Sequence, residues 1–331
     1  MFGRSQVSPV AVEYLNSFNN GALDRVRLIV ATHWHDDHIR GLASVLERLP
    51  QARFACSAAL NTDNFATLVE AGASTIQGRS GVDEFAAIFR LLVENAPTEK
   101  SKRLAAPQFA IENRTLLSLP ADGRPFSAAV KALSPSDGTV RLALTDIARW
   151  LPKAGEAQRR IINRSPNSTS VVLWVEVGTR RALLGADLEH TAQSGEGWIG
   201  VLTCHRSAEL ATVFKVPHHG SANADYADIW AKMLVQNPVA IVTPFNAGKS
   251  LPQSSDLERL SRRTDRLYCT AGAAGKPPSR GAMVDRTVRH VAMERRVIDG
   301  EPGHIRVRWP SKQPDVEPTV ELLNGAYAVA S

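Results

Sequence analysis

Leu28-Ile-Val-Ala-Thr-His-Trp-His-Asp-Asp-His38 is the stretch on which the reading of this chain turns. Its first half closes the apolar run Arg25–Ala31, which reads as a buried strand. Its second half, Thr32–His38, is a polar loop of pattern HxHxDH, set directly before a helical pattern from Ile39 to Leu49. Four ligand-type side chains within six residues lose hydration at a strand exit unless something binds them. Imidazole suits Zn, Mn or Fe, and carboxylate adds a harder, charge-neutralising oxygen. On a tight turn, His33 and His35 can converge on one ion while Asp37 and His38 reach a second. With 9 His and 16 Asp among 331 residues, the pattern arises by accident on the order of a few times in ten thousand such chains. A metal loop is therefore expected.

Working outward, two further strand exits carry ligand chemistry. Leu183-Leu-Gly-Ala-Asp187 ends an apolar run on a carboxylate able to bridge two ions; alone, it would read as an N-cap or turn Asp. Val213-Phe-Lys-Val-Pro-His-His-Gly-Ser221 ends another strand on two histidines and a glycine turn. Taken in order, THWHDDH, the GAD strand end and VPHHGS resemble the metallo-β-lactamase fold superfamily. VPHHGS with the upstream Asn167-Ser168 is similar to the hydrolase domain of DNA-uptake competence proteins and their soluble relatives. The resemblance covers about Arg25 to Thr270. It implies an α/β fold, an αββα sandwich with a dinuclear site on one edge, holding two divalent ions, zinc first and manganese as the alternative. By position, His33, His35, Asp37, His38 and Asp187 correspond to metal ligands. His218 is the preferred further ligand, with His219 the alternative or an acid beside the site.

This chain departs from the family pattern in three ways. Only about 24 residues precede the first strand, and Ser8–Phe18 reads as a helix where the family has strands and a glycine-rich segment, so the first sheet is expected to lack N-terminal edge strands. The histidine many members carry between HxHxDH and the bridging Asp is absent, and Asn163–Ser168 stands in its place. No membrane channel segment is present.

The composition is that of a folded chain, 44% hydrophobic and 22% charged. Cys56, Cys204 and Cys269 form no CxxC pair, which excludes a cysteine zinc knuckle or disulfide scaffold. No apolar run approaches the roughly 18 residues that cross a bilayer, and Met1–Val10 has no apolar signal-peptide centre, so a cytoplasmic protein without membrane association is expected. Strand and helix patterns alternate as in a mixed α/β chain. The Gly/Ala/Pro/Ser-rich stretch Thr270–Gly281 marks a boundary, giving a hydrolase domain over 1–270 and a linker, basic β-rich extension and poorly ordered tail over 271–331. The net charge is +6, and Arg259–Lys312 alone holds 13 Lys and Arg against 5 Asp and Glu, a face suited to anions.

Two divalent ions together activate water for hydrolysis, and the expected reaction is phosphodiester cleavage of nucleic acid or a nucleotide. Asp37 takes part at the metal, while His219 and Asp36 are the candidates for giving the leaving group its proton; Asp36 can equally orient a ligand histidine. Lys215 and Ser221 are placed to meet the non-bridging oxygens, Trp34 to stack on a base, and the basic stretch to follow a phosphate backbone. Each has a plainer role: Lys215 as a solvent-facing strand residue, Trp34 as packing. Other readings of the same residues are a lactone, thioester or amide hydrolase, and a weakened scaffold component of a multi-protein system.

Overall fold

The structure, a computed structural model, describes residues 9–18, 21–60, 81–94, 106–150, 166–193, 195–205, 208–245, 250–271, 303–310 and 316–329. The chain is mixed α/β and divides into two compact units, Met1–Ala208 and Glu209–Ser331. Among the described residues no helix is long and apolar enough to cross a membrane.

The first unit opens with α1 (Val10–Asn16), inside the predicted Ser8–Phe18 helix. Strands β1 (Leu28–Ala31), β2 (Arg53–Ser57) and β3 (Gln108–Ala110) then form a parallel sheet in the order β1-β2-β3. Because side chains alternate along a strand, this sheet buries both faces. Ile29, Ala31, Phe54 and Cys56 point to one side, against Ile39 of α2 (Asp36–Ile39), Leu46 of α3 (Leu42–Arg48) and Phe85 and Ile88 of α4 (Gly81–Glu94). Leu28, Val30 and Ala55 point to the other, against Leu116, Val130, Ala132, Leu173, Val175 and Leu184. Those residues belong to an antiparallel meander of β4 (Arg114–Leu119), β5 (Ala128–Ala132), β6 (Leu173–Val177) and β7 (Arg180–Leu184). Between β5 and β6 runs α5 (Asp137–Trp150). The first unit is thus layered as helices, sheet and sheet. On the far face of β6, buried Trp174 meets the ring of His205, just beyond α6 (Gly197–Cys204), at 4.6 Å.

Two contacts fix the metal loop onto this scaffold. A four-residue helix such as α2 does not form alone; burying Ile39, 1% exposed, contributes about 2 kcal/mol and holds it. At Gly81 a Cβ would stand 1.7 Å from the Trp34 carbonyl oxygen, so only glycine lets α4 start against the loop.

Sequence reading runs Phe109–Leu119 as one strand; the structure breaks it at Asn113 (φ 62°) into β3 and β4, which lie in different sheets. The predicted helix Ala58–Ala71 begins as a 3-10 turn over Ala58–Leu60, and the rest lies outside the described residues.

In the second unit β8 (Ala211–Lys215), β9 (Leu234–Val242) and β10 (Leu267–Cys269) are parallel. Helices α7 (Ala227–Lys232) and α8 (Ser254–Ser261) belong to it. β9 starts five residues before the predicted Val239, and its pairing with β8 shifts register, which accommodates Pro238. Across the stretch that follows β10, Gly303 N donates to Thr270 O, and β13 (Tyr327–Ala328) pairs antiparallel with β10. The end from Pro310, expected to be poorly ordered, instead supplies β12 (Thr319–Leu323), which pairs with β11 (His304–Arg308), and β13. The strand predicted over Thr287–Arg296 lies outside the described residues.

Candidate metal centre

Thr32 continues out of β1, and its carbonyl accepts from Val171 N at 3.0 Å. The next residue, His33, is 1% exposed. Its Nδ1 lies 3.2 Å from Thr32 Oγ1; its Nε2 is buried without a hydrogen-bond partner, 3.8 Å from Asp187 Oδ2. The His33 ring is 5.0 Å from that of His35 and 4.3 Å from that of His38. His38 Nε2 sits 3.2 Å from Asp187 Oδ1 and 3.3 Å from Asp37 Oδ2. His33, His35 and Asp187 each offer a ligand atom within 4.8 Å of the others, and so do Asp37, His38 and Asp187. These groups can hold a metal ion, and Asp187 is common to both.

Two histidines of this cluster, His33 and His38, titrate away from the ordinary imidazole value in opposite directions. Burial, with His38 and His35 alongside, pulls His33 from 6.5 down to about 3, despite Asp187 and Asp37. Burial acts on His38 in the same direction, but the Asp187 and Asp37 carboxylates outweigh it and hold His38 above its ordinary value. His33 is therefore neutral, and His38, between its two carboxylates, holds a proton more readily than a free imidazole does. A buried imidazole nitrogen without a partner is costly, and a cation is what this donor set satisfies.

Asp187 is aimed by its surroundings. Ala186, just before it, has φ 46°. Trp198 Nε1 donates to Leu188 O at 2.8 Å, and Asn167 Nδ2 to Glu189 Oε1 at 2.7 Å. At Gly197 a Cβ would stand 2.4 Å from Glu189 O. Asn167 thus braces the residues after Asp187. Six non-glycine residues have positive φ among those described: Asn113, Asn237 and Asn324, which tolerate it, and Ala186, His218 and His219. Strain outside asparagine thus falls only at predicted site segments.

Within the second unit the VPHHGS segment turns over His218–Gly220. His219 is buried, stacks on Phe245 at 5.1 Å, and its Nδ1 lies 2.9 Å from Thr243 O. A carbonyl only accepts, so Nδ1 carries the proton and Nε2 keeps its lone pair, the arrangement of a ligand histidine. His218 is more exposed, with Nδ1 3.1 Å from Asn223 Oδ1.

The remaining predicted residues have plainer surroundings. Asp36 accepts from Arg40 Nη2 at 3.0 Å, one helical turn on. Trp34 packs on the first core, the packing role. Lys215 Nζ donates to Val216 O at 3.3 Å, and Ser221 N to His218 O at 2.9 Å. Among the described residues of the basic stretch, Arg259 meets Asp225 and Asp256, Arg262 meets Glu258, Arg266 meets Glu317, and Arg306 and Arg308 meet Glu321. Sequence reasoning missed Thr243, Phe245, Ala186 and Arg259. Ala186 and Arg259 stood in segments already singled out, the one beside Asp187 without a role of its own and the other counted as surface charge.

No family model matches the chain, and no curated protein matches it.

Proposed function

We propose that the protein is a metal-dependent hydrolase of the metallo-β-lactamase type, a phosphodiesterase with two divalent ions, zinc for preference and manganese as the alternative. The observation that carries this is Asp187, shared by the trio with His33 and His35 and the trio with Asp37 and His38. The buried, unpartnered His33 Nε2 and the helix–sheet–sheet layering of the first unit support it. Bound there, divalent ions supply Lewis acidity and bring the ionisation of water toward neutral pH.

The chain's own residues hold and orient. His33 and His35 would hold one ion and Asp37 and His38 the other, with Asp187 available to either, while the Trp198 and Asn167 hydrogen bonds brace Leu188 and Glu189 just after it. His219, rather than His218, is the metal-binding histidine of VPHHGS, because Thr243 already fixes its tautomer. Lys215 and Ser221 remain the candidates for the non-bridging oxygens. Asp36, held by Arg40, orients the loop and leaves proton donation to other groups. Because five described arginines, Arg259, Arg262, Arg266, Arg306 and Arg308, face carboxylates, they are less available to track a duplex backbone, which favours a nucleotide-sized phosphodiester. The same pairing favours, as the second reading, a lactone or thioester hydrolase with no use for that stretch.

Metal analysis of purified protein, followed by assay on bis-aryl phosphate, cyclic nucleotides, single- and double-stranded nucleic acid and lactones, tests this. About two metal equivalents and phosphodiester turnover are expected. Lactone turnover alone would install the second reading. Zinc-supplemented protein that retains no metal would sink both.

A further inference from the structure

The His218–Gly220 turn passes through three successive left-handed residues, φ 45°, 54° and 83°, at about 1–2 kcal/mol for each non-glycine one. Its own hydrogen bonds, Gly220 N to Pro217 O at 3.0 Å and Ser221 N to His218 O at 2.9 Å, are those of an ordinary tight turn and do not explain why two histidines adopt it. Arg259, on α8, adds a hold from outside. Its Nη2 donates to Gly220 O at 2.5 Å, its Nη1 to Asp256 Oδ1 at 2.6 Å and its Nε to Asp225 Oδ2 at 2.9 Å.

Both carboxylates are themselves fixed. Asp225, its side chain 4% exposed, also accepts from Trp230 Nε1 at 2.8 Å. Asp256 is buried and accepts from Gln253 N at 2.9 Å, closing the N-terminus of α8. The planar guanidinium is therefore held on two edges before its third nitrogen reaches the turn. The next residue, Leu260, places Cδ1 3.2 Å from where a Cβ on Gly220 would stand, so α8 grips the turn by a polar and an apolar contact in succession.

We infer that Arg259 is a positioning residue: through Gly220 it keeps the His219 ring stacked on Phe245 with Nδ1 on the Thr243 carbonyl and Nε2 presented as the ligand nitrogen. The inference rests on His219 being a metal ligand, as proposed above. It removes Arg259 from the set of residues available to an anionic substrate.

Long-range 1H–15N correlation of the histidine rings in metal-free protein, with His219 assigned by its loss in His219→Gln, tests this. Wild type should show one His219 tautomer, protonated at Nδ1. Arg259→Gln should give mixed tautomers and, by chelator competition, at least about tenfold weaker zinc binding. Arg259→Lys, which keeps the charge but cannot serve three acceptors in a plane, should fall between, and Ser261→Ala on the same helix should change neither. A melting temperature lowered with the tautomer unmoved would make Arg259 a structural residue and overturn the inference, as would loss of the fold in both Arg259 variants. Failure of the metal reading is distinguishable: wild type would take up no zinc while the tautomer still responded to Arg259→Gln.

Discussion

Thr32–His38 after β1 and Pro217–Ser221 after β8 both put histidines at the end of a parallel strand, yet the protein supports the two differently. At the first, His33 has its Nε2 buried without a hydrogen-bond partner and three imidazoles crowd one another. At the second, His219 is hydrogen-bonded, stacked and set in a turn gripped by Arg259. The first segment leaves a buried ring nitrogen that a cation could satisfy. The second is completed by the fold itself, so the same residue type is a liability to the empty protein in one place and a settled structural element in the other.

The comparison breaks most sharply at the residue shared by both trios. Asp187→Asn should remove at least one metal equivalent and abolish turnover, read by metal analysis and assay; unchanged metal content would undo the assignment. Next, the two histidines should part company. His33→Leu removes a desolvated imidazole, so in chelator its melting temperature should hold or rise while the zinc-induced increase is lost. His219→Leu should lower the melting temperature even in chelator, because it leaves the Thr243 carbonyl unpaired at about 1–3 kcal/mol. Equal behaviour of the pair would erase the contrast.

Ala186→Gly is a smaller perturbation of the strained approach to Asp187. Relief of left-handed strain is worth about 1 kcal/mol, or roughly 2–4 °C for a unit of this size, and zinc affinity should fall a few-fold as Asp187 loses its aim. The smallest effect lies at His205, against Trp174. Burial, then Lys131, pushes its pKa below 6.5, so the folded state prefers it neutral. Its contribution is fully present above pH 6.5 and declines as the pH falls through that value toward the lowered one. In zinc-saturated protein, His205→Gln should flatten the loss of melting temperature between pH 7 and 5.5 by about 1–2 °C; an unchanged slope would show that His205 is not linked to folding.

The first segment was legible in the sequence because its signal is local. HxHxDH after an apolar run places four ligand types at a strand exit, and the structure gathers His33, His35, Asp37 and His38 with Asp187. The second was only half legible. VPHHGS marked the turn, but Thr243 and Phe245, which decide between His218 and His219, lie more than twenty residues downstream on the end of another strand. Arg259 was misjudged for a related reason: composition counts a charge without its partner, and Asp225 and Asp256 become partners only on folding. Nothing in Leu-Gly-Ala-Asp predicts the left-handed Ala186, because alanine has no preference for that conformation and is driven there by its neighbours. In the fold, the apolar run Arg25–Ala31 marked a buried strand, and β1 (Leu28–Ala31) lies within it. The pairing of β11 with β12 was missed because the tail after Pro310 offers a weak pattern and its partner comes from context.

Gly303 N donates to Thr270 O at 2.7 Å, so two points of the chain more than thirty residues apart in sequence meet at a backbone hydrogen bond. The entropy of closing such a stretch grows only with the logarithm of its length, about 0.6 kcal/mol per doubling. By that measure the chain between Thr270 and Gly303 can be lengthened at little entropic cost, for instance to carry a fluorophore or an affinity handle, provided the anchors at both ends are kept. Gly303 itself must be left alone, because a methyl group there would stand 2.0 Å from Ala326 N and 2.3 Å from Thr270 O, prising open the join that makes the insertion harmless.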